Sequence, residues 1–192
     1  MTCQCINDTP KETQIELSLD LAGGPSNIEI PSGFFTHMLE AFARHADVAL
    51  SLRAKGDVHV DLHHTIEDIG IVLGQAIKEA LGDKKGITRY GLAKIPMDEC
   101  LVEVSLDICN RPYFIIHGEQ HFAGKAGDIE LDLVLEFFRA LCFNAGITMH
   151  LTVYAAGGPH HLAEASFKAF ARALKEAILI TGTDIPSTKH VL

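Results

Sequence analysis

Two stretches of this 192-residue sequence carry the same arrangement: His63-His64-Thr65-Ile66-Glu67 in the first half and His160-His161-Leu162-Ala163-Glu164 in the second. On a helix, positions i and i+4 share a face about 6 Å apart. His63 with Glu67, and His160 with Glu164, can therefore each grip one metal ion. His64 and His161 lie roughly 100° around from their neighbours, free to reach a second metal or a substrate. A single His-His-x-x-Glu is commonly only a partly exposed helix start, but a second copy argues for a repeated ligand set. Two such pairs fill only part of two coordination shells, so each ion must recruit further ligands. His37 is the natural candidate, and Glu136 stands at the matching place in the second half. Imidazole and carboxylate without thiolate suit manganese, iron, cobalt or zinc. Because neutral imidazole is the ligand, occupancy should fall in acid.

A second set is basic: Arg89, Arg111, Lys168 and the run Ser187-Thr188-Lys189. Guanidinium forks with a hydroxyl and an ammonium suit a phosphate monoester, although each residue alone reads as ordinary surface. His59, His117, His121 and His190 read as surface histidines. Five cysteines, an odd number without paired metal-finger spacing, imply reduced thiols, and Cys3-x-Cys5 is a faint metal signal. A formal charge of −9 argues against a broad nucleic-acid surface, and an anionic substrate needs a local basic cluster. With 47% hydrophobic and 21% charged residues the composition is globular. No apolar run approaches the roughly 18 residues of a membrane span and no basic-then-apolar leader opens the chain, so a cytoplasmic location is expected.

The elements that must position these residues follow from periodicity. The N-terminus reads as a loose arm, followed by an alternating strand over Thr13–Asp20 and a short strand at Ile28–Ile30, which should pair with it as a hairpin. Phe34, His37, Met38, Ala41, Phe42 and His45 predict a helix from Ser32, its N-cap, to Ala46. Val48–Ala54 and Val58–Asp61 read as a second hairpin about Lys55-Gly56-Asp57. Two starts compete for the next helix, because Thr65 and Asp68 make a capping box that leaves His63 and His64 outside it. In the second copy Pro159 suits the first helical position after Gly158, which puts His160 and His161 in the first turn. By the repeat, the first copy should start at Asp61 and run to Leu81, ending at Gly82. Strands are expected over Thr88–Ile95 and Val102–Ile108, with Pro112–Ile116 pairing with the latter. A helix over Asp128–Asn144, a strand over Thr148–Ala155 and a helix over His160–Ile178 complete the chain. Without a low-complexity linker, the repeats 1–92 and 93–192 should pack as one unit of helices layered on sheets.

Gly33-Phe34-Phe35-Thr36-His37-Met38-Leu39, Gly56-Asp57, His63-His64-Thr65-Ile66-Glu67-Asp68, Arg89-Tyr90-Gly91, Pro96-Met97-Asp98-Glu99, Arg111-Pro112-Tyr113, His160-His161-x-x-Glu164 with Phe167-Lys168-Ala169, and Pro186-Ser187-Thr188-Lys189 follow one another in this order. Together they closely resemble the imidazoleglycerol-phosphate dehydratases of histidine biosynthesis, from Thr9 to Leu192. The resemblance implies an internally duplicated α/β (α+β) fold, each half a four-stranded mixed sheet with two helices on one face. It implies a 24-subunit shell with active sites between subunits and two Mn2+ ions in each. Carried over by position, one metal takes His63, Glu67, His161 and Glu136, and the other takes His160, Glu164, His37 and His64. Glu12 matches the family's acid/base glutamate, and His45, Arg89, Arg111, Lys168, Ser187 and Lys189 match its substrate and phosphate contacts. The implied reaction removes water from imidazoleglycerol phosphate and gives the acetol phosphate after an enol tautomerises. The proton to be lost is not next to a carbonyl. The implied route therefore runs through a metal-bound imidazolate, with Glu12, His64 and Glu164 as the catalytic set.

The chain departs from the family pattern at five places. Thr36 replaces an aspartate before His37, Ala41 a glutamine, and Glu136 a histidine found in some members. Gly158-Pro159 replaces an asparagine-containing approach to the second histidine pair, and His190 replaces a glycine. Thr36 is expected to change how His37 is oriented. Two other readings fit the same ligands: a dinuclear metallohydrolase, and a metal-binding shell protein that has lost catalysis, for which Thr36 and Ala41 are the best support.

Overall fold

The computed structural model describes residues 2–9 and 13–189. Strand β2 (Thr13–Asp20) buries Ile15, Leu17 and Leu19 on one face. It lies between β1 (Thr2–Thr9) and β4 (Ala49–Gly56), antiparallel to both, with Leu17 opposite Leu52. The short β3 (Asn27–Glu29) runs parallel to β4 on its other edge, which gives the order β1-β2-β4-β3. A parallel neighbour requires a crossover, and α1 (Gly33–Ala46) supplies it. α2 (His63–Leu81) then follows β4.

The second half repeats this plan. β5 (Tyr90–Met97), β6 (Cys100–Ile108), β7 (Tyr113–His117) and β10 (Ile147–Ala155) form a sheet of order β5-β6-β10-β7 with the same strand directions. α3 (Leu133–Ala145) makes the crossover, and α4 (Pro159–Ala177) follows β10. An added hairpin, β8 (Lys125–Ala126) and β9 (Ile129–Glu130), precedes α3.

Three expected pairings fail for one reason, namely that an interior strand has only two edges. β2 is paired by β1 and β4, so β3 joins β4 instead of forming a hairpin with β2. β6 is paired by β5 and β10, so Pro112–Ile116 contributes β7 to β10 instead. β4 is likewise flanked by β2 and β3, so the alternating Val58–Asp61 has nothing to join. It forms a turn with Val58 48% and Val60 63% exposed. Two further corrections concern element limits. The N-terminal arm is the edge strand β1, and the helix expected from Asp128 starts at Leu133 because Asp128 belongs to the β8–β9 turn.

α2 packs on β1 and β2, α4 packs on β5 and β6, and the helices of the two halves meet between the sheets as α1 on α4 and α2 on α3. Rings interlock at this seam: Phe35 lies 5.2 Å from Phe137 and 5.8 Å from Phe167, and Phe42 stacks on Phe170 at 5.6 Å. Ser32 caps α1 by accepting from Phe35 N, while Asp128 of the other half accepts from Ser32 Oγ, Gly33 N and Phe34 N. Gly127 beside it has φ 59° and meets Phe34 so closely that a Cβ would lie 2.6 Å from that residue's Cβ. Among the described residues no helix is long and apolar enough to cross a membrane.

The α2–α3 seam depends on Gly74, where a Cβ would stand 2.5 Å from Leu141 O and 2.9 Å from Asn144 Cβ. Intrinsic propensity alone would make Gly74→Ala stabilising by about 1 kcal/mol, whereas overpacking at a rigid backbone contact costs about 1–3 kcal/mol. We expect urea unfolding to show a lower midpoint for Gly74→Ala, and a higher one would mean that the two helices are free to separate.

Candidate metal centre

α4 begins with Gly158 in extended conformation at the N-cap and Pro159 in the first turn, so His160 and Glu164 are one turn apart on its leading face. α1, set against α4 by the phenylalanine seam, brings His37 to the same point. His160 Nε2 is 3.3 Å and His37 Nε2 3.5 Å from Glu164 Oε2, and the three donors form one compact group. An ion with bonds of about 2.1 Å holds neighbouring ligand atoms about 3.0–3.4 Å apart. Two imidazoles and one carboxylate oxygen converging at this spacing therefore fit a divalent cation. The Phe34 ring packs edge-on against His160 at 5.0 Å. Lys168, a turn further along α4, donates to the other Glu164 oxygen at 2.8 Å. Burial pushes the Glu164 carboxyl up, but the bond and charge of Lys168 together with His37 outweigh it and hold the group below the ordinary carboxylate range.

The first copy of the motif is arranged similarly. α2 starts at His63, two residues later than expected, so both histidines are in its first turn, and Asp61 accepts from His63 N. His63 Nε2 lies 3.7 Å from Glu67 Oε2. Glu136, whose carboxylate accepts from Arg139, lines a hollow with Glu67, Ile71 and Arg139. Glu67 and Glu136 thus share one hollow, but among the described residues His63, Glu67 and Glu136 do not close into a three-donor group as His37, His160 and Glu164 do.

His64 and His161 are held differently. His64 Nδ1 lies 3.0 Å from Asp57 Oδ2, and His161 Nδ1 lies 3.0 Å from each oxygen of Glu99, with Asp98 at 3.8 Å. A carboxylate on Nδ1 fixes the tautomer and turns Nε2 outward as the ligand atom. Asp57 and Glu99 are partners of these histidines to which sequence reasoning gave no role, although both belong to motifs of the family resemblance. Glu99 also accepts from Gly158 N at 2.7 Å, so one side chain both caps α4 and orients His161. That backbone N–H, then its own, then His161 pull the Glu99 carboxyl down to about 2. In return, Glu99 raises the His161 imidazolium above its ordinary range against a smaller desolvation effect. Thr36 Oγ1 donates to Ser32 O and so serves the first turn of α1.

The expected phosphate set divides in two. Lys168 and His45 lie along the α1–α4 contact, where burial and then the charges of Lys168, Arg172 and Arg44 lower the His45 pKa. Arg172, one turn beyond Lys168, joins this group without having been singled out in the sequence. Arg89 grips Asp107 with Nε at 2.7 Å and Nη2 at 3.1 Å, and donates from Nη1 to Pro186 O, which roots the tail carrying Ser187 and Lys189. Lys189 N donates to Ser187 Oγ. Arg111 reaches Asp107 at 3.7 Å but stays 72% exposed, available to a ligand. Glu12 lies outside the described residues.

A family model described as imidazoleglycerol-phosphate dehydratase matches residues 31–174. An imidazoleglycerol-phosphate dehydratase of Acidiphilium cryptum is 52% identical over 192 residues, spanning 97% of each chain. One of Acetivibrio thermocellus is 54% identical over 167 residues, 86% of this chain and 85% of that one. Among solved structures, imidazoleglycerol-phosphate dehydratase from Staphylococcus aureus superposes with a TM-score of 0.84 at 40% identity, covering 94% of this chain and 100% of that one.

The Glu99–His161 bond can be tested in metal-free protein. Glu99→Gln removes the carboxylate charge, so the His161 imidazolium should lose its proton at lower pH, close to an unperturbed histidine, as read by NMR titration of the ring. Metal affinity should fall by about 10–100-fold. An unchanged His161 titration would show that the contact does not orient the ring.

Proposed function

The chain belongs to the imidazoleglycerol-phosphate dehydratase family, hydro-lyases of histidine biosynthesis, and we propose that it dehydrates imidazoleglycerol phosphate to imidazole acetol phosphate with two Mn2+ ions at each site. The observation that carries the metal assignment is the convergence of His37, His160 and Glu164 at ligand-to-ligand spacing. We assign His63, Glu67 and Glu136 to the other ion. His64 would complete the first set and His161 the second, both supplied by another copy of the chain. Supporting this crossing, His64 and His161 are each held through Nδ1 by a carboxylate, which turns Nε2 outward as the ligand atom. That assignment makes the active site one shared between subunits, and the 24-subunit shell is assigned from the family resemblance. The five free cysteines suit a reducing compartment, and the cytoplasm is our assignment.

The reaction removes a hydrogen from carbon and a hydroxyl from its neighbour, and the resulting enol then tautomerises to the ketone. When bound, the ions supply Lewis acidity that acidifies the imidazole ring of the substrate. The chain's own residues do the rest. His64 and His161, each fixed through Nδ1 by an acid, present Nε2 without conformational search. Lys168 holds one oxygen of Glu164 and leaves the other for the ion. Arg111, Ser187 and Lys189 bind the phosphate, with Arg89 positioning the tail through Pro186. Glu12 is assigned the proton transfers.

Metal-stripped protein should be inactive and regain formation of the acetol phosphate on addition of manganese, and His64→Ala should abolish turnover. Arg111→Ala should raise KM about 10–100-fold, the worth of one charge-assisted hydrogen bond, with a smaller effect on kcat. Assembled, manganese-loaded protein that forms no product would instead support the metal-binding shell.

A further inference from the structure

The Cys3-x-Cys5 pair remains outside the site described above. Alternate residues of a strand share a face, and the partners of Cys3 and Cys5 across β2 are Leu19 and Leu17, which point into the core. Both thiols are buried accordingly, and both meet α2 at Glu79. Cys3 Sγ lies 3.3 Å from Cys5 Sγ and donates to Glu79 Oε2 at 2.8 Å, with Cys5 Sγ 3.9 Å from the same oxygen. Twelve residues separate Glu79 from Glu67, about 18 Å along the helix, so this cluster is separate from the histidine sets.

We propose that Cys3, Cys5 and Glu79 form a further metal site, selective for a thiophilic divalent cation of the zinc type, that ties edge strand β1 to α2. Thiolates select such ions over manganese, so the two kinds of site discriminate by donor softness. A tetrahedral ion with bonds of about 2.3 Å to sulfur and about 2.1 Å to oxygen holds its donors about 3.6–3.8 Å apart, so the thiols and Glu79 need separate by less than about 1 Å to admit one. Glu79 is on the exposed side, which leaves the fourth position to water and gives the ion a path in. A disulfide is the poorer use of this pair. Extended residues i and i+2 have Cα atoms about 6.6 Å apart with parallel Cβ atoms, whereas a bridge needs Cβ atoms about 3.8 Å apart. Burial first, then Glu79 and Cys5, push the Cys3 thiol far above its ordinary range, so without an ion the thiol keeps its proton. Binding forms two metal–sulfur bonds and releases one proton from each thiol to solvent, with no change in oxidation state.

Cadmium is a suitable probe, because its thiolate charge-transfer absorption in the ultraviolet is blind to ligation by histidine and carboxylate. Reduced, manganese-loaded protein titrated with cadmium should develop this band with saturation at one equivalent per chain. It should persist in His160→Ala and Cys142→Ser and disappear in the Cys3→Ser/Cys5→Ser double variant. Glu79→Gln, which leaves both thiols in place, should weaken binding about ten-fold or more. The proposal is overturned if no band forms at one equivalent, if it survives in the double variant, or if Glu79→Gln binds cadmium as tightly as the parent. The readout does not use turnover, so it stands or falls apart from the dehydratase assignment.

Discussion

The contact of α1 with α4 is the constraint on which the rest depends. His37 belongs to the first half of the chain and His160 and Glu164 to the second, so their convergence exists only while the two halves keep one relative position. Each fully buried phenylalanine contributes about 2–3 kcal/mol through removal from water, and six of them line this seam and its continuation onto α3. Interlocked rings resist sliding because a shift of one ring displaces the next. Asp128 adds direction to this non-directional adhesion. Its three hydrogen bonds to the first turn of α1 fix the rotation of that helix, and with it the face that carries His37.

The duplicated topology accounts for the two copies of the His-His-x-x-Glu motif, but the polar contacts show where the halves have diverged. The acid that holds His64 is Asp57, at the end of β4, whereas the acid that holds His161 is Glu99, in the turn between β5 and β6. Unrelated backbone positions thus do the same task. Glu99 performs two jobs at once, since the N–H of Gly158 at the start of α4 and the His161 ring both draw on its charge.

Much of this was legible in the sequence. The repeated His-His-x-x-Glu, Ser32 as a cap, Pro159 at the start of a helix and the alternation in β2 and β6 are local signals, and local physics decided them. Strand pairing was not legible, because whether an edge is already taken depends on residues far along the chain. β1 escaped notice because its alternation is Cys and polar residues, whose burial depends on α2 lying above it. Asp128 looked like a helix start because acids favour first turns, and it does serve one, α1 of the other half. Asp57 and Glu99 became visible as positioning residues only when their histidines could be measured against them.

The two ligand sets of the proposed assignment differ in charge, and that difference bears on the metal. His37, His160 and His64 with Glu164 give one carboxylate, and that carboxylate already shares its charge with Lys168. His63 and His161 with Glu67 and Glu136 give two, and Arg139 pairs with Glu136. The second set is the harder and more anionic of the pair, suited to manganese, while the first comes closer to an imidazole-rich site that zinc or cobalt would also accept. Ions held by these two sets would therefore differ in residual charge, the first being the less neutralised and the stronger Lewis acid toward a bound imidazole. As a ligand, the Glu136 carboxylate would be the source of that asymmetry, because a neutral imidazole at its place would leave the two sets with one carboxylate each.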